Sequence, residues 1–485
     1  MIFNSVTYLL FLLIVTILYW SFNIKARLYL VFFASLLFYA FWKIEFVSLM
    51  LISAINDYWM SILITETDSI KKKKMFLSIS LFVNLGLLFV FKYLFFFTDN
   101  IQSIVELTGF DINIPLFNLI LPLGISFYTF QTISYTVDVY RGFIKPQKDF
   151  ITYGCYVMFF PQLVAGPILR AGEVIHQFLE KKQFQSNYIV YGIERILYGL
   201  FLKTVLADNI APFVDRGFMT SASYLSALDV WTLAFLFGFQ IYFDFSAYSH
   251  IAIGSAKLMG INFPENFNFP YSATSFKEFW KRWHISLSSW IRDYLYLPLK
   301  GAKVEDRSTG GLQIEKNKKI GKNNSALFIT WAIMGLWHGA NWTFVVWGLY
   351  HSILIYLERF FNGWNKFLFN SHRKFIGLII TLPLVMLGWI PFRAKNVDET
   401  IKMLLKIIDY REYGYLGLRE NTYLITLLML IIFFVGYLYK QHLKPWLIHS
   451  NSLTKYITST IEYAFLIIFV FIFLRPINQF IYFQF

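Results

Sequence analysis

Apolar runs long enough, or nearly so, to cross a bilayer recur along the whole chain, near residues 6–22, 28–42, 46–64, 76–97, 115–135, 188–206, 226–245, 326–361, 374–392, 421–440 and 457–474. A helix rising 1.5 Å per residue needs about 20 residues to cross about 30 Å of hydrocarbon. Only helices and closed barrels satisfy their own backbone there. The runs are uniformly apolar rather than alternating, which outweighs the strand-like ending FIYFQF and excludes a barrel. The expected fold is therefore all-α and polytopic, with about 11–12 transmembrane helices, the uncertainty lying in whether 326–361 is a bent hairpin or one helix. Composition agrees, with 57% hydrophobic and 15% charged residues.

The net charge of +14 would suit a nucleic-acid surface, but the bases lie in short loops between apolar runs, where they set membrane orientation. Nucleic acid is not expected as a partner. Lys25 and Arg27, Lys71 to Lys74, and Arg141, Lys145 and Lys148 fall on alternate connections, whereas 99–111 carries acids and no base. The basic loops are then cytoplasmic and both termini external. The lone cysteine, Cys155, excludes an intrachain disulfide and a multi-thiolate metal site. Residues 5–22 lack the flanks of a signal sequence and read as a first span. One membrane-embedded domain over 1–485 is expected: N-terminal helices at 1–150, a catalytic core at 151–361 and C-terminal helices at 362–485.

Several segments depart from plain spans. Residues 153–170, YGCYVMFFPQLVAGPILR, are apolar but hold two prolines and a glycine; a re-entrant segment and a proline-kinked span fit equally. Gln240, Asp244 and Tyr248 form one polar stripe, and Tyr128, Gln131, Tyr135 and Asp138 another. Both should face the interior, as ordinary helix-to-helix glue or as something more. After a proline-broken loop at 262–271, residues 276–294 read as one amphipathic interfacial helix. Its aromatic face holds Phe276, Trp280, Trp283, Leu287, Trp290 and Tyr294, and its polar stripe Lys277, Lys281, His284, Ser288 and Arg292. The neighbouring stretch 300–322, with seven bases against three acids, places it on the cytoplasmic side. Residues 301–325 read as a flexible insertion, and 397–407 as a short interfacial helix.

The stretch ALFITWAIMGLWHGANWTFVVWGLYH carries His338 in its middle. An ionisable side chain at such depth is costly and marks a functional candidate. From a helix start at Ala326 it lies about 18 Å along the axis. Gly335 and Gly339 around it suit close packing. No metal-ligand spacing, phosphate-binding loop or nucleophile elbow occurs. What remains is general base catalysis by a neutral imidazole, kept neutral by burial, on a hydroxyl attacking an activated acyl group.

Five blocks in order, FFPQLVAGPI, QIYFDFSAYSHIAIGSAKLMG, KRWHISLSSWIRDYLYLPLKG, MGLWHGANWTFVVWGLYH and FIYFQF, together resemble the membrane-bound O-acyltransferases. The nearest likeness is to the branch that acetylates alginate, peptidoglycan and other exopolysaccharides, and it covers the chain from end to end. The resemblance implies that His338 in WHG is the family's near-invariant active-site histidine and that His284 in RWH fills its second active-site position. It further implies helices around a central funnel or channel, acetyl-CoA as the acyl donor, and an extracytoplasmic acetyltransferase partner of SGNH-hydrolase type that completes transfer to a polysaccharide. Lys277, Lys281 and Arg292 are candidates for the donor phosphates, with membrane-surface contact an equal alternative. The expected setting is the bacterial inner membrane. D-alanyl transfer to teichoic acid, carriage of a lipid-linked saccharide and a purely structural subunit are the competing readings.

Overall fold

The computed structural model describes the chain except residues 2, 110–111, 118, 303, 306–312, 315–323, 362–373, 450–451, 475–479 and 482–485. Most of the flexible insertion read at 301–325 and the last four residues of FIYFQF lie outside the described residues. The described fold is helical, apart from a two-residue antiparallel pairing of Val304–Glu305 with Gln313–Ile314. Two compact units interleave in sequence. The first comprises Met1–Arg195, Ile251–Pro264 and Arg292–Ile320; the second comprises Ile196–His250, Glu265–Ile291 and Gly321–Phe485.

In the first unit, Val6–Ser21 begins on a Ser5 cap and is fastened near both ends. The Tyr8 hydroxyl lies 2.7 Å from Ser255 Oγ, and the Trp20 indole N–H donates to the Leu258 carbonyl at 2.8 Å. Ile24–Ala40, Glu45–Glu66 and Ile70–Leu88 follow, the last continuing through a π-helical turn, Phe89–Tyr93, into Leu94–Thr108. Asp57 is fully buried and stays tolerable because Ser80 and Asn84 donate to it, Asn84 at 2.6 Å. Thr132 on the next helix donates to the Asn84 carboxamide oxygen at 3.2 Å.

In the run near 115–135 the helix is Ile125–Arg141. Two prolines precede that helix, and Gly124 starts it at φ +74°, where a side chain would meet the Leu163 carbonyl. That carbonyl belongs to the Pro-Gly-rich stretch. The helix Phe150–Met158 stops there, and no helix resumes until Ala171–Leu179. The stretch is therefore broken rather than kinked. It stays buried throughout because protein supplies its hydrogen bonds: Ser35 Oγ accepts from the Phe160 N–H at 3.1 Å, and the Tyr156 hydroxyl donates to the Leu169 carbonyl at 3.1 Å. Irregular backbone at membrane depth needs such internal partners. The stripe on Ile125–Arg141 faces inward, with Asp138 accepting from the Tyr294 hydroxyl at 2.7 Å.

In the second unit, Asp244 on the 32-residue helix Ala227–Leu258 is buried together with Gln240 and Tyr248, as their spacing requires. Lys203 Nζ lies 2.7 Å from Asp244 and 2.9 Å from Asp208. The other Asp244 oxygen accepts the Ile481 N–H at 2.8 Å, so this stripe also fastens Ile481. Residues 326–361 form a hairpin, Ser325–His338 and Trp342–Phe360. The helices touch because glycines face backbone: a side chain at Gly335 would strike the Phe344 carbonyl, and one at Gly348 the Trp331 carbonyl. Among the described residues, six helices are long and apolar enough to cross a membrane: Glu45–Glu66, Ile70–Thr108, Ala227–Leu258, Lys374–Arg393, Glu420–Leu447 and Ser452–Ile472. Val6–Ser21 and Ser325–His338 are shorter apolar helices. The chain is a multi-pass, all-α membrane protein.

Candidate active site

His338 is the last residue of its helix. Gly339 continues in extended conformation, and the next helix starts on an Asn341 cap whose side chain accepts from the Thr343 N–H at 3.0 Å. His338 is 4% exposed, so its side chain is buried among its neighbours. Trp337 and Trp347 stand edge-on to it with ring centroids 4.9 Å away, and Phe392 does so at 5.2 Å. Depth in an apolar run pointed to this residue; its place at a helix end came from the turn at 339–341.

The expected single amphipathic helix over 276–294 is corrected. Ser275 caps Phe276–Arg282 by accepting from the Glu278 N–H at 3.2 Å, and the Glu278 carboxylate reaches back to the Thr274 N–H at 2.8 Å. Trp283 is then extended, His284 takes φ +39°, and a new helix runs Ile285–Ile291 before a π-helical turn, Arg292–Tyr296. A left-handed non-glycine residue costs about 1–2 kcal/mol. Backbone bonds from the 262–271 loop hold it: the Ile285 N–H donates to the Asn266 carbonyl at 2.9 Å, and the Asn268 N–H to the Arg282 carbonyl at 3.0 Å. Loop pairing has overridden helical periodicity. As a result His284 is not on a solvated stripe but fully buried, edge-on to Phe245 at 4.6 Å. Burial pushes its imidazole down to about 3, which keeps the ring neutral.

Trp337 joins the two sequence candidates, its ring 4.9 Å from His338 and 6.3 Å from His284. The cationic candidates are divided. Lys277 and Lys281 are both exposed, one turn apart on Phe276–Arg282. Arg292 lies past the helix break, and its guanidinium is held by Asp293 at 2.7 Å, which Arg170 also binds at 2.6 Å. Sequence reasoning missed Asn266 and His351. His351 is fully buried, edge-on to Trp280 and Trp347 at 5.1 Å each, so Trp347 touches it as well as His338. Among the described residues no three His, Cys, Asp or Glu side chains are grouped to hold a metal.

With two buried imidazoles beside one indole, the His284 ring neutral, the arrangement can accept a proton from a hydroxyl. Residues 143–390, which contain the site, match the membrane-bound O-acyltransferase family. The chain belongs to that family. It is an O-acyltransferase. A peptidoglycan O-acetyltransferase of Helicobacter pylori is 36% identical over 397 residues, 76% of this chain and 72% of that one. The "probable alginate O-acetylase" of Pseudomonas aeruginosa is 34% identical over 457 residues, 92% of this chain and 83% of its own. A teichoic acid D-alanyltransferase of Bacillus subtilis is 30% identical over 289 residues, 58% of this chain and 71% of its own.

Proposed function

We propose that this acyltransferase moves an acetyl group from acetyl-CoA in the cytoplasm across the bacterial inner membrane for O-acetylation of an extracytoplasmic polysaccharide of the alginate or peptidoglycan kind. The observation that carries the reading is the pair of buried imidazoles sharing Trp337, in a chain whose likeness to an alginate acetylase extends over nine-tenths of its length. His338 takes the proton of the acceptor hydroxyl as its oxygen bonds to the thioester carbon. His284, as the second imidazole of the site, positions the reacting groups. The C–S bond then breaks and the proton passes to the departing thiolate, so CoA leaves as the thiol. The hydroxyl belongs to the polysaccharide or to an SGNH-hydrolase-type partner outside the membrane that passes the acetyl on; an acyl-histidine intermediate satisfies the same balance. Lys277 and Lys281, exposed one turn apart, would meet donor phosphates as point charges, whereas Arg292 is engaged by Asp293. Teichoic acid D-alanylation is the second reading, disfavoured because the D-alanyltransferase aligns with 58% of this chain.

His338→Ala, in protein shown to be inserted and stable, should lower acetyl transfer to the polymer by about 10² or more. A loss of only a few fold would remove the general base from the mechanism. Transfer of D-alanyl in place of acetyl groups by the wild type would favour the second reading.

A further inference from the structure

His284 Nδ1 faces the side chain of Asn266, with Ser286 Oγ 3.5 Å away. The carboxamide oxygen of Asn266, itself fully buried, lies 3.1 Å from His284 Nδ1, 2.9 Å from Ser286 Oγ and 3.2 Å from the Ser286 backbone nitrogen. The amide nitrogen of the same side chain points the other way and donates to Ser249 Oγ at 3.1 Å. Which end of an asparagine is oxygen is settled by its partners, and a backbone N–H can only donate. The atom facing Ser286 N–H is therefore the oxygen, an acceptor, and the imidazole nitrogen that shares it must carry the proton.

We propose that Asn266 is a positioning residue for acyl transfer: its carboxamide oxygen fixes His284 as the Nδ1–H tautomer, so that Nε2 is the ring's basic nitrogen. The same oxygen stabilises the left-handed turn at His284 by accepting the Ser286 N–H just beyond it, so backbone turn and ring tautomer are set together. The neutral ring that burial imposes is what gives a tautomer meaning, since an imidazolium has two N–H groups and no basic nitrogen. In the reaction, Nε2 accepts a hydrogen bond or proton from the reacting partners while Nδ1–H stays on Asn266. This assignment of a chemical role rests on the proposed acyl-transfer reading; the tautomer itself does not.

The test uses the full chain in nanodiscs, labelled with nitrogen-15 histidine, with His284→Gln identifying the His284 ring signals by their loss. In the wild type those signals should report the Nδ1–H tautomer. Observation of the Nε2–H tautomer overturns the proposal whatever the variants do. Asn266→Ala should give mixed tautomers and at least a tenfold fall in kcat. Asn266→Asp keeps an acceptor in place but sets a carboxylate beside the ring, which favours imidazolium. Its acid limb of kcat/KM should rise by about one pH unit or more, with activity recovering at higher pH. A pH profile and ring signals unchanged in both variants would reduce Asn266 to a brace for the bend and defeat the proposal. Should the tautomer shift as expected while His284→Ala transfers acetyl normally, the placement of Asn266 holds and the catalytic reading of His284 falls.

Discussion

Lys203 is 1% exposed between two carboxylates, 2.7 Å from Asp244 and 2.9 Å from Asp208. Removing the cation leaves two anions facing one another in a dry interior, and breaking a buried pair in this way costs about 3–5 kcal/mol. Lys203→Met should therefore lower the thermal midpoint in detergent by several degrees and loosen the Asp244 hold on Ile481; an unchanged midpoint would mean that water reaches the cluster. Histidine 284 gives a second expectation. Its ring is pushed down to about 3 in the folded protein against the ordinary 6.5. Between those values the unfolded chain binds a proton that the native one refuses, so stability falls as pH drops from 6.5 toward 3. The stability of His284→Gln, followed from pH 7 to 4.5, should decline less steeply than that of the wild type; equal slopes would mean the ring is charged when folded. Asp244 was legible because a carboxylate inside an apolar helix, one turn from Gln240, has to face a partner. Its partner Lys203 was not, since a lysine near the end of an apolar run looks like any loop base.

The hairpin of Ser325–His338 with Trp342–Phe360 sets two opposing effects against each other. Alanine in place of a mid-helix glycine normally gains about 0.5–1 kcal/mol. At Gly335 and Gly348, however, the added carbon would meet the Phe344 and Trp331 carbonyls, and overpacking costs about 1–3 kcal/mol. Backbone cannot move aside as a side chain can, so packing should win. Gly335→Ala and Gly348→Ala should each unfold at lower temperature than the wild type and, by shifting His338 at the hairpin's tip, lose at least tenfold in acetyl transfer. Stabilised variants would show that the helices separate without consequence. Spacing alone marked Gly335 as a contact point, and that contact is packing against the next helix. The RWH segment was misread for a related reason. Its apolar residues do repeat at helical spacing, but the repeat carries no sign of the loop at 262–271, whose backbone pairs across the segment and turns His284 inward. Asn266 was hidden in the same way, as one of three asparagines in that loop with no periodic neighbour to set it apart.

Across the whole molecule, charge asymmetry and helix length together predict an orientation that can be checked. Ile70–Thr108 is a continuous 39-residue helix, about 58 Å long and nearly twice the hydrocarbon thickness. With Lys71 to Lys74 at the cytoplasmic edge, the hydrocarbon is crossed by about the π-helical turn at Phe89–Tyr93. The rest, Leu94–Thr108, extends beyond that point and presents Phe97, Ile101 and Ile104 on one exposed side. Cys155 is the single cysteine and is fully buried, so the wild type provides an unlabelled background for cysteine reporters. Ser103→Cys should react with an impermeant maleimide in intact cells, whereas Lys72→Cys should react only after the cytoplasmic face is opened. Labelling of Lys72→Cys from outside would invert the orientation. By the same positive-inside argument Lys277 and Lys281 would then lie on the external side, and their proposed assignment to the donor phosphates would fail with it. The imidazole pair is indifferent to that reversal, since its burial and its shared indole depend on packing; only the proposed direction of acetyl transfer would have to be redrawn.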